Sequence, residues 1–181
     1  MASSPNRRLV LLRHAKSAWP GPPAPPDHDR PLAGRGRRDA PAVGRWLREA
    51  GCVPDEVWCS TAQRAVQTWQ LAAAELGVAP PVDYQRDLYG ATGRELADLV
   101  RHAPATTTTL LLVGHNPGVQ ELALTLAAPG PSDAAEREFE RAASKFPTAA
   151  VAVLEFSSSW PELSAGSARL ASFVVPRDLR A

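Results

Sequence analysis

Four residues are of the right types to share one chemistry: Arg13, His14, Arg64 and His115. Two follow the apolar run Leu9-Val10-Leu11-Leu12, and one follows Leu110-Leu111-Leu112-Val113-Gly114. The last lies four residues past Ser60, in Cys59-Ser60-Thr61-Ala62-Gln63-Arg64. An arginine fork suits planar contact with phosphate oxygens. A neutral imidazole can attack phosphorus and carry the group covalently. Cations around the equatorial oxygens then stabilise the charge of the transition state. The second histidine, if protonated, adds a charge and a donor. Taken singly, each residue also has an ordinary role, as a satisfied structural histidine, a helix cap or a solvated arginine. Brought together at three strand ends, they make a specific phosphate pocket. No Gly-rich loop with Lys-Ser/Thr is present, so a P-loop is excluded. No acidic metal cluster is evident, so the arginines would stand in for Mg²⁺.

The elements that must position these residues follow from hydrophobic periodicity. The runs at 8–13 and 108–114 read as strands buried on both faces. Open α/β sheets bind ligands at the carboxyl ends of such strands. Val57-Trp58-Cys59 reads as a third strand, leading into a helix over 61–76 whose N-terminus would face an anion. Helical spacing also marks 35–50, 93–102 and 119–127, with Gly51 and Gly77 placed as stops. A charged helix is expected over 133–145. Val82-Asp83-Tyr84 reads as a minor strand, and 148–156 and 169–175 as late strands joined by a Ser-rich turn. Alternating strands and helices predict an α/β fold, a three-layer α/β/α sandwich around a mostly parallel sheet. Five prolines between Pro20 and Pro26 exclude helix and central strand. They mark 18–29 as a loop beside the site, either a rim or lid or an ordinary surface connection.

The 181 residues suit a single domain over 1–181, with a flexible segment at 1–7. A formal net charge of +1 offers no field for nucleic acid or an anionic membrane, so an anionic ligand needs local arginines. The polar first residues lack the apolar core of a signal peptide, and no run is long enough to span a bilayer, which predicts a cytoplasmic protein. Cys52 and Cys59 form no CxxC pair and read as reduced thiols without a role. The sequence does not set the oligomeric state; a monomer is plausible.

Three stretches together resemble the histidine phosphatase superfamily, which includes the phosphoglycerate mutases. They are Leu12-Arg13-His14-Ala15-Lys16-Ser17, Ser60-Thr61-Ala62-Gln63-Arg64-Ala65-Val66-Gln67-Thr68 and Gly114-His115-Asn116-Pro117. Ala15 stands where Arg-His-Gly is commonest. Together with Asp29-Arg30-Pro31-Leu32, Arg35-Gly36 and Lys145-Phe146-Pro147-Thr148, it makes the chain similar to the short SixA-type branch of phosphohistidine phosphatases. The resemblance runs from Leu9 to about Pro176. It implies a phosphoglycerate mutase-like fold and a metal-independent phosphatase without a cofactor. It also implies His14 as nucleophile, and Arg13, Arg64 and His115 as ligands of the phosphoryl group. Ser17 would add a hydrogen bond or serve as a turn residue, and Lys16 would touch substrate or be solvated.

The general acid is where the pattern thins. Many members carry a glutamate after the second helix, and the nearest counterpart here is Asp87 in Arg86-Asp87-Leu88-Tyr89-Gly90. Asp87 is the acid, or it pairs with Arg86, or it caps a turn. Asp27, His28 and Asp29 are weaker candidates. A phosphohistidine substrate demands less of an acid, because imidazole leaves more readily than an alkoxide. The shortness of the chain leaves little room for the segments with which mutases exclude water. The expected function is therefore a hydrolase of protein phosphohistidine. The alternatives are a small-molecule phosphomonoesterase, acting on a sugar phosphate or nucleotide, and a non-catalytic phospho-binding module.

Overall fold

The computed structural model describes residues 6–128 and 130–180. Six strands form one sheet: β1 (Arg7–Arg13), β2 (Glu56–Ser60), β3 (Val82–Gln85), β4 (Thr109–Gly114), β5 (Val151–Phe156) and β6 (Arg169–Val174). The helices are α1 (Gly34–Glu49), α2 (Gln63–Ala73), α3 (Gly93–Val100), α4 (Gly118–Leu126) and α5 (Asp133–Ser144). Strand order is β3-β2-β4-β1-β5-β6. The first four strands pair in parallel, and β5 runs against β1 and β6. The sheet is thus mostly parallel, as expected.

Alternation along the central strands sorts their side chains into two cores. Leu9, Leu11, Leu110, Leu112, Ala152 and Leu154 face α3, α4 and α5. Val10, Leu12, Val57, Cys59, Leu111, Val113 and Val153 face α1 and α2. With both faces covered, the strands must be apolar throughout, which is why they read as continuous runs. Gly44 lets α1 and α2 touch, since a Cβ there would lie 2.1 Å from the Ala72 carbonyl oxygen. Gly51 adopts positive φ (65°) directly after the C-cap of α1, as its reading as a stop requires, whereas α2 already ends at Ala73, and Gly77 (φ 75°) follows a turn beyond it.

Other boundaries also differ from expectation. Arg7, placed in the flexible segment 1–7, is the first residue of β1; its guanidinium reaches the Ser158 carbonyl. Residues 1–5 of that segment lie outside the described residues. Helix α2 starts at Gln63 rather than Thr61, because Ala62 is still extended and its N–H is taken by the Ser60 hydroxyl. Strand β5 starts three residues late. Ala149 has φ 61° and turns its N–H onto the Arg13 and His14 carbonyls, so the chain cannot extend until Val151. The 133–144 helix is as exposed as its charges suggest, with Ala142 buried. The loop 18–29 ends in a 3-10 turn, Asp27–Asp29.

Candidate active site

Sheet register brings the two histidines together. Arg13 pairs with Gly114 across the β1–β4 ladder, and the His14 N–H donates to the Gly114 carbonyl at 3.0 Å. The next residue on each strand is a histidine, and the rings lie 5.0 Å apart at 52°. His14 Nδ1 is 2.8 Å from the Ala15 carbonyl oxygen, so Nδ1 carries the proton and Nε2 the lone pair. Burial above all pushes the His14 pKa down to about 3; the Ala15 bond opposes this, and His115, Arg64 and Arg13 add to it. The imidazole is therefore neutral near pH 7. The loop after it is tied to α2: the Ala15 N–H donates to Thr68 Oγ1, which itself donates to the Arg64 carbonyl.

His115 is also buried, and its pKa is pushed down to about 4 by burial and then by Arg64, with Asp27 opposing. The condition under which the second histidine would add a charge is therefore not met near pH 7, where its ring is neutral. Its Nε2 lies 2.7 Å from the Ser60 hydroxyl, and its buried Nδ1 has no hydrogen-bond partner among the described residues. The Ser60 oxygen already accepts the Ala62 N–H, so its own proton is available for Nε2. With the Ser60 proton directed at Nε2, the imidazole proton would sit on Nδ1, as an unused donor.

The two arginines are held differently. Arg13 Nη1 donates to the Phe146 carbonyl at 2.8 Å, while its buried Nε has no hydrogen-bond partner among the described residues. Arg64, in the first turn of α2, is 7% exposed and bonds Asp27 twice, at the backbone carbonyl (2.7 Å) and at Oδ2 (3.1 Å). Asp27 is a hub. Its Oδ2 also accepts the Tyr89 hydroxyl at 2.7 Å, and its Oδ1 accepts Arg30 Nη1 at 2.9 Å. The Tyr89 bond first, then Arg30 and Arg64, hold its carboxyl well below the usual carboxylate range. Asp27 is thus held ionised, as an anchor shared by Arg64, Arg30 and Tyr89. Tyr89 stands edge-on to both His115 (5.5 Å) and His28 (4.9 Å), and His28 reaches Thr61 Oγ1 at 2.9 Å.

The remaining predicted residues fall outside this group. Ser17 is buried, and its Oγ accepts Arg30 Nη2 at 2.7 Å, so it anchors the loop. Lys16 is exposed; its backbone carbonyl instead packs on α1, where a Cβ on Gly36 would come within 2.3 Å of it. Asp87 sits exposed in the 3-10 turn Arg86–Leu88. It lines an open cleft with Tyr89, Glu95, Asp98 and His102, and none of Arg13, His14, Arg64 or His115 is in its walls. Sequence reasoning missed the roles of Asp27, Tyr89, Ser60 and Thr68. Their only signal was nearness in sequence to residues already singled out. Among the described residues, no group of three or more His, Cys, Asp or Glu could hold a metal, and no helix is long and apolar enough to cross a membrane.

This geometry can be set beside known proteins. The family model of the histidine phosphatase superfamily (branch 1) matches residues 9–90. An uncharacterised protein of Mycobacterium tuberculosis (strain ATCC 25618 / H37Rv) is 44% identical over 166 residues, covering 92% of this chain and all of that protein. A SixA structure from Nakamurella multipartitia is 35% identical with a TM-score of 0.79, covering 94% of this chain and 96% of its own. A second SixA structure, from Agrobacterium tumefaciens, is 29% identical with a TM-score of 0.74, covering 94% and 98%. The paired histidines at adjacent strand ends, the arginines beside them and these end-to-end likenesses agree: the chain belongs to the histidine phosphatase superfamily, in its SixA branch.

Proposed function

We propose that this protein hydrolyses protein phosphohistidine through a covalent intermediate on His14, without a metal ion. The observation that carries the reading is the Ala15 carbonyl on Nδ1, which leaves a neutral Nε2 with its lone pair free, in a ring that feels the charges of Arg64 and Arg13. Nε2 attacks phosphorus, and the bond from phosphorus to the substrate imidazole breaks with its electron pair. Arg13, Arg64 and the spare Nδ1–H of His115 bind the three oxygens while charge spreads over them. Water then attacks phospho-His14, the P–N bond breaks, and inorganic phosphate and neutral His14 are regenerated.

The leaving group supports a nitrogen-linked substrate. Asp27 is held ionised by Tyr89, Arg30 and Arg64, and Asp87 lines a cleft that none of the four pocket residues lines, which supports a leaving group that asks little of an acid. A phosphohistidine brings its own second ring nitrogen, which takes a proton near pH ~6.5. A small phosphomonoester is the second reading, favoured by the cleft of about 650 Å³ beside Tyr89, which would hold its body and make Asp87 its acid. A cytoplasmic setting, where phosphohistidine proteins signal and carry phosphate, completes the proposal.

The test compares kcat/KM for phosphoimidazole and a phosphohistidine peptide with that for a panel of phosphomonoesters, in EDTA, with His14→Ala as control. The reading requires preference for the P–N substrates, lost in the variant. Preference for one ester, lost on Asp87→Asn, favours the second reading.

A further inference from the structure

Beyond the pocket, the same edge of the sheet carries a cluster of cations that the chemistry above does not use. A cavity of about 420 Å³ is lined by Arg35, Arg141, Lys145, Arg177 and Arg180. Its apolar walls are Pro147, Phe173 and Val175. The carboxylates there are outnumbered. Arg180 bonds Asp39 Oδ1 at 2.7 Å, Arg35 stands 3.7 Å from Asp39 Oδ2, and Arg141 pairs with Asp178. Lys145 and Arg177 have no carboxylate within ion-pair distance among the described residues. The whole chain carries only +1, so this is a local excess.

The cavity adjoins the catalytic group. Leu12 pairs with Val151, and Val151 with Val174, which places Val175 two strand spacings, roughly 10 Å, from β1 at the end where His14 emerges. One wall, 145–148, includes the residue whose carbonyl holds Arg13. Arg35 is next to Gly36, which packs on the carbonyl of Lys16. Asp39 is 3% exposed and serves the wall from behind, holding Arg180 and Arg35 in place, so the charge that the rim presents is positive.

We propose that this cavity docks an acidic segment of the phosphoprotein substrate, with acidic side chains on the Lys145–Arg177 rim and an apolar side chain against Phe173 and Val175. The docking rests on the reading of His14 as a protein phosphohistidine phosphatase. A gap of roughly 10 Å corresponds to about three extended residues, so the acidic segment lies about that far from the phosphohistidine. Opposite charge at such a rim selects partners and speeds encounter, and salt weakens it.

The test uses two synthetic peptides with a central phosphohistidine, one carrying Glu-Phe-Glu and the other Lys-Phe-Lys three residues away. The intact protein should favour the acidic peptide by about tenfold or more in kcat/KM, less so as salt rises. Arg177→Glu and the double variant Lys145→Glu/Arg177→Glu should bring that ratio toward one or invert it. Turnover of phosphoimidazole by Arg177→Glu should stay within about twofold, since the residue is distant from the reacting atoms. Equal kcat/KM for the two peptides with the intact protein overturns the docking site. Binding of the same peptides, fluorescein-labelled and unphosphorylated, gives a readout free of catalysis. Tighter binding of the acidic peptide, lost in Arg177→Glu, sustains the docking even if neither phosphohistidine nor phosphoimidazole is hydrolysed, an outcome that overturns the catalytic reading alone. Equal binding overturns the docking.

Discussion

The two arginines of the pocket are fastened by different parts of the molecule. Arg13 rides on β1 and is anchored to a backbone carbonyl of the segment leading into β5. Arg64 is anchored to Asp27, at the end of the proline-rich loop, and Asp27 is in turn shared with Arg30 and Tyr89. His14, His115 and Arg13 thus form a half set by sheet register, whereas Arg64 forms a half set by a loop. The first half is as rigid as the core. The second is as good as the loop's own fastening, which includes Arg30 on Ser17 and the Arg30 guanidinium stacked 3.4 Å over the exposed Trp19 ring. Phosphate affinity should therefore depend on residues of 17–30 that never touch phosphate.

Several substitutions break or sharpen this contrast. His14→Ala removes the nucleophile and should reduce kcat by ~10³-fold or more. Arg13→Ala and Arg64→Ala should each cost ~10²- to 10³-fold in kcat/KM, the range for losing a charged transition-state donor. The contrast itself is tested by Asp27→Asn, which keeps the shape and removes the charge that orients Arg64. Loss of a charge-assisted hydrogen bond predicts a fall of ~10-fold in kcat/KM, carried mainly by KM. Arg13-dependent catalysis should survive, so adding Asp27→Asn to Arg64→Ala should cost almost nothing further. A full second loss in that double variant would show that Asp27 acts on something other than Arg64. Gly36→Ala, whose Cβ would strike the Lys16 carbonyl, should lower stability by ~1–3 kcal/mol in a denaturant titration.

The smallest expected effect is on pH dependence. His14 and His115 have folded pKa values near 3 and near 4, below the ordinary value of 6.5. Between those limits the unfolded chain binds more protons than the folded one, so stability rises with pH across that window. It is fully present above about pH 6.5 and is lost progressively as pH falls toward the folded values. Tm measured from pH 4 to 7 should climb, and the climb should be shallower in His14→Ala. A slope unchanged by that substitution would mean that His14 is not buried as a neutral ring.

Much of the set-by-register half could be read in the sequence. Leu9–Leu12 and Leu110–Val113 are apolar at every position because both faces of the sheet are covered, and a polar residue ending such a run must sit at its edge. Parallel pairing then places the two histidines side by side. The loop-held half was illegible for a physical reason. Asp27, Arg30, Arg64 and Tyr89 are brought together by tertiary contacts spanning up to 62 residues, and no local period marks them. The late start of β5 was hidden for a similar reason. Thr148 and Ala149 have ordinary strand propensity, and the positive φ of Ala149 is imposed by its N–H reaching the His14 carbonyl.

The most direct measurement is to find the phosphate on the enzyme. The protein would be mixed with phosphoimidazole, quenched within one turnover into base, where phosphohistidine survives, and its peptides mapped by mass spectrometry. The account predicts a phosphate on the peptide containing His14, attached at Nε2, and neither label nor turnover in His14→Ala. Steady turnover by His14→Ala, or a phosphate carried by any other residue, would contradict it.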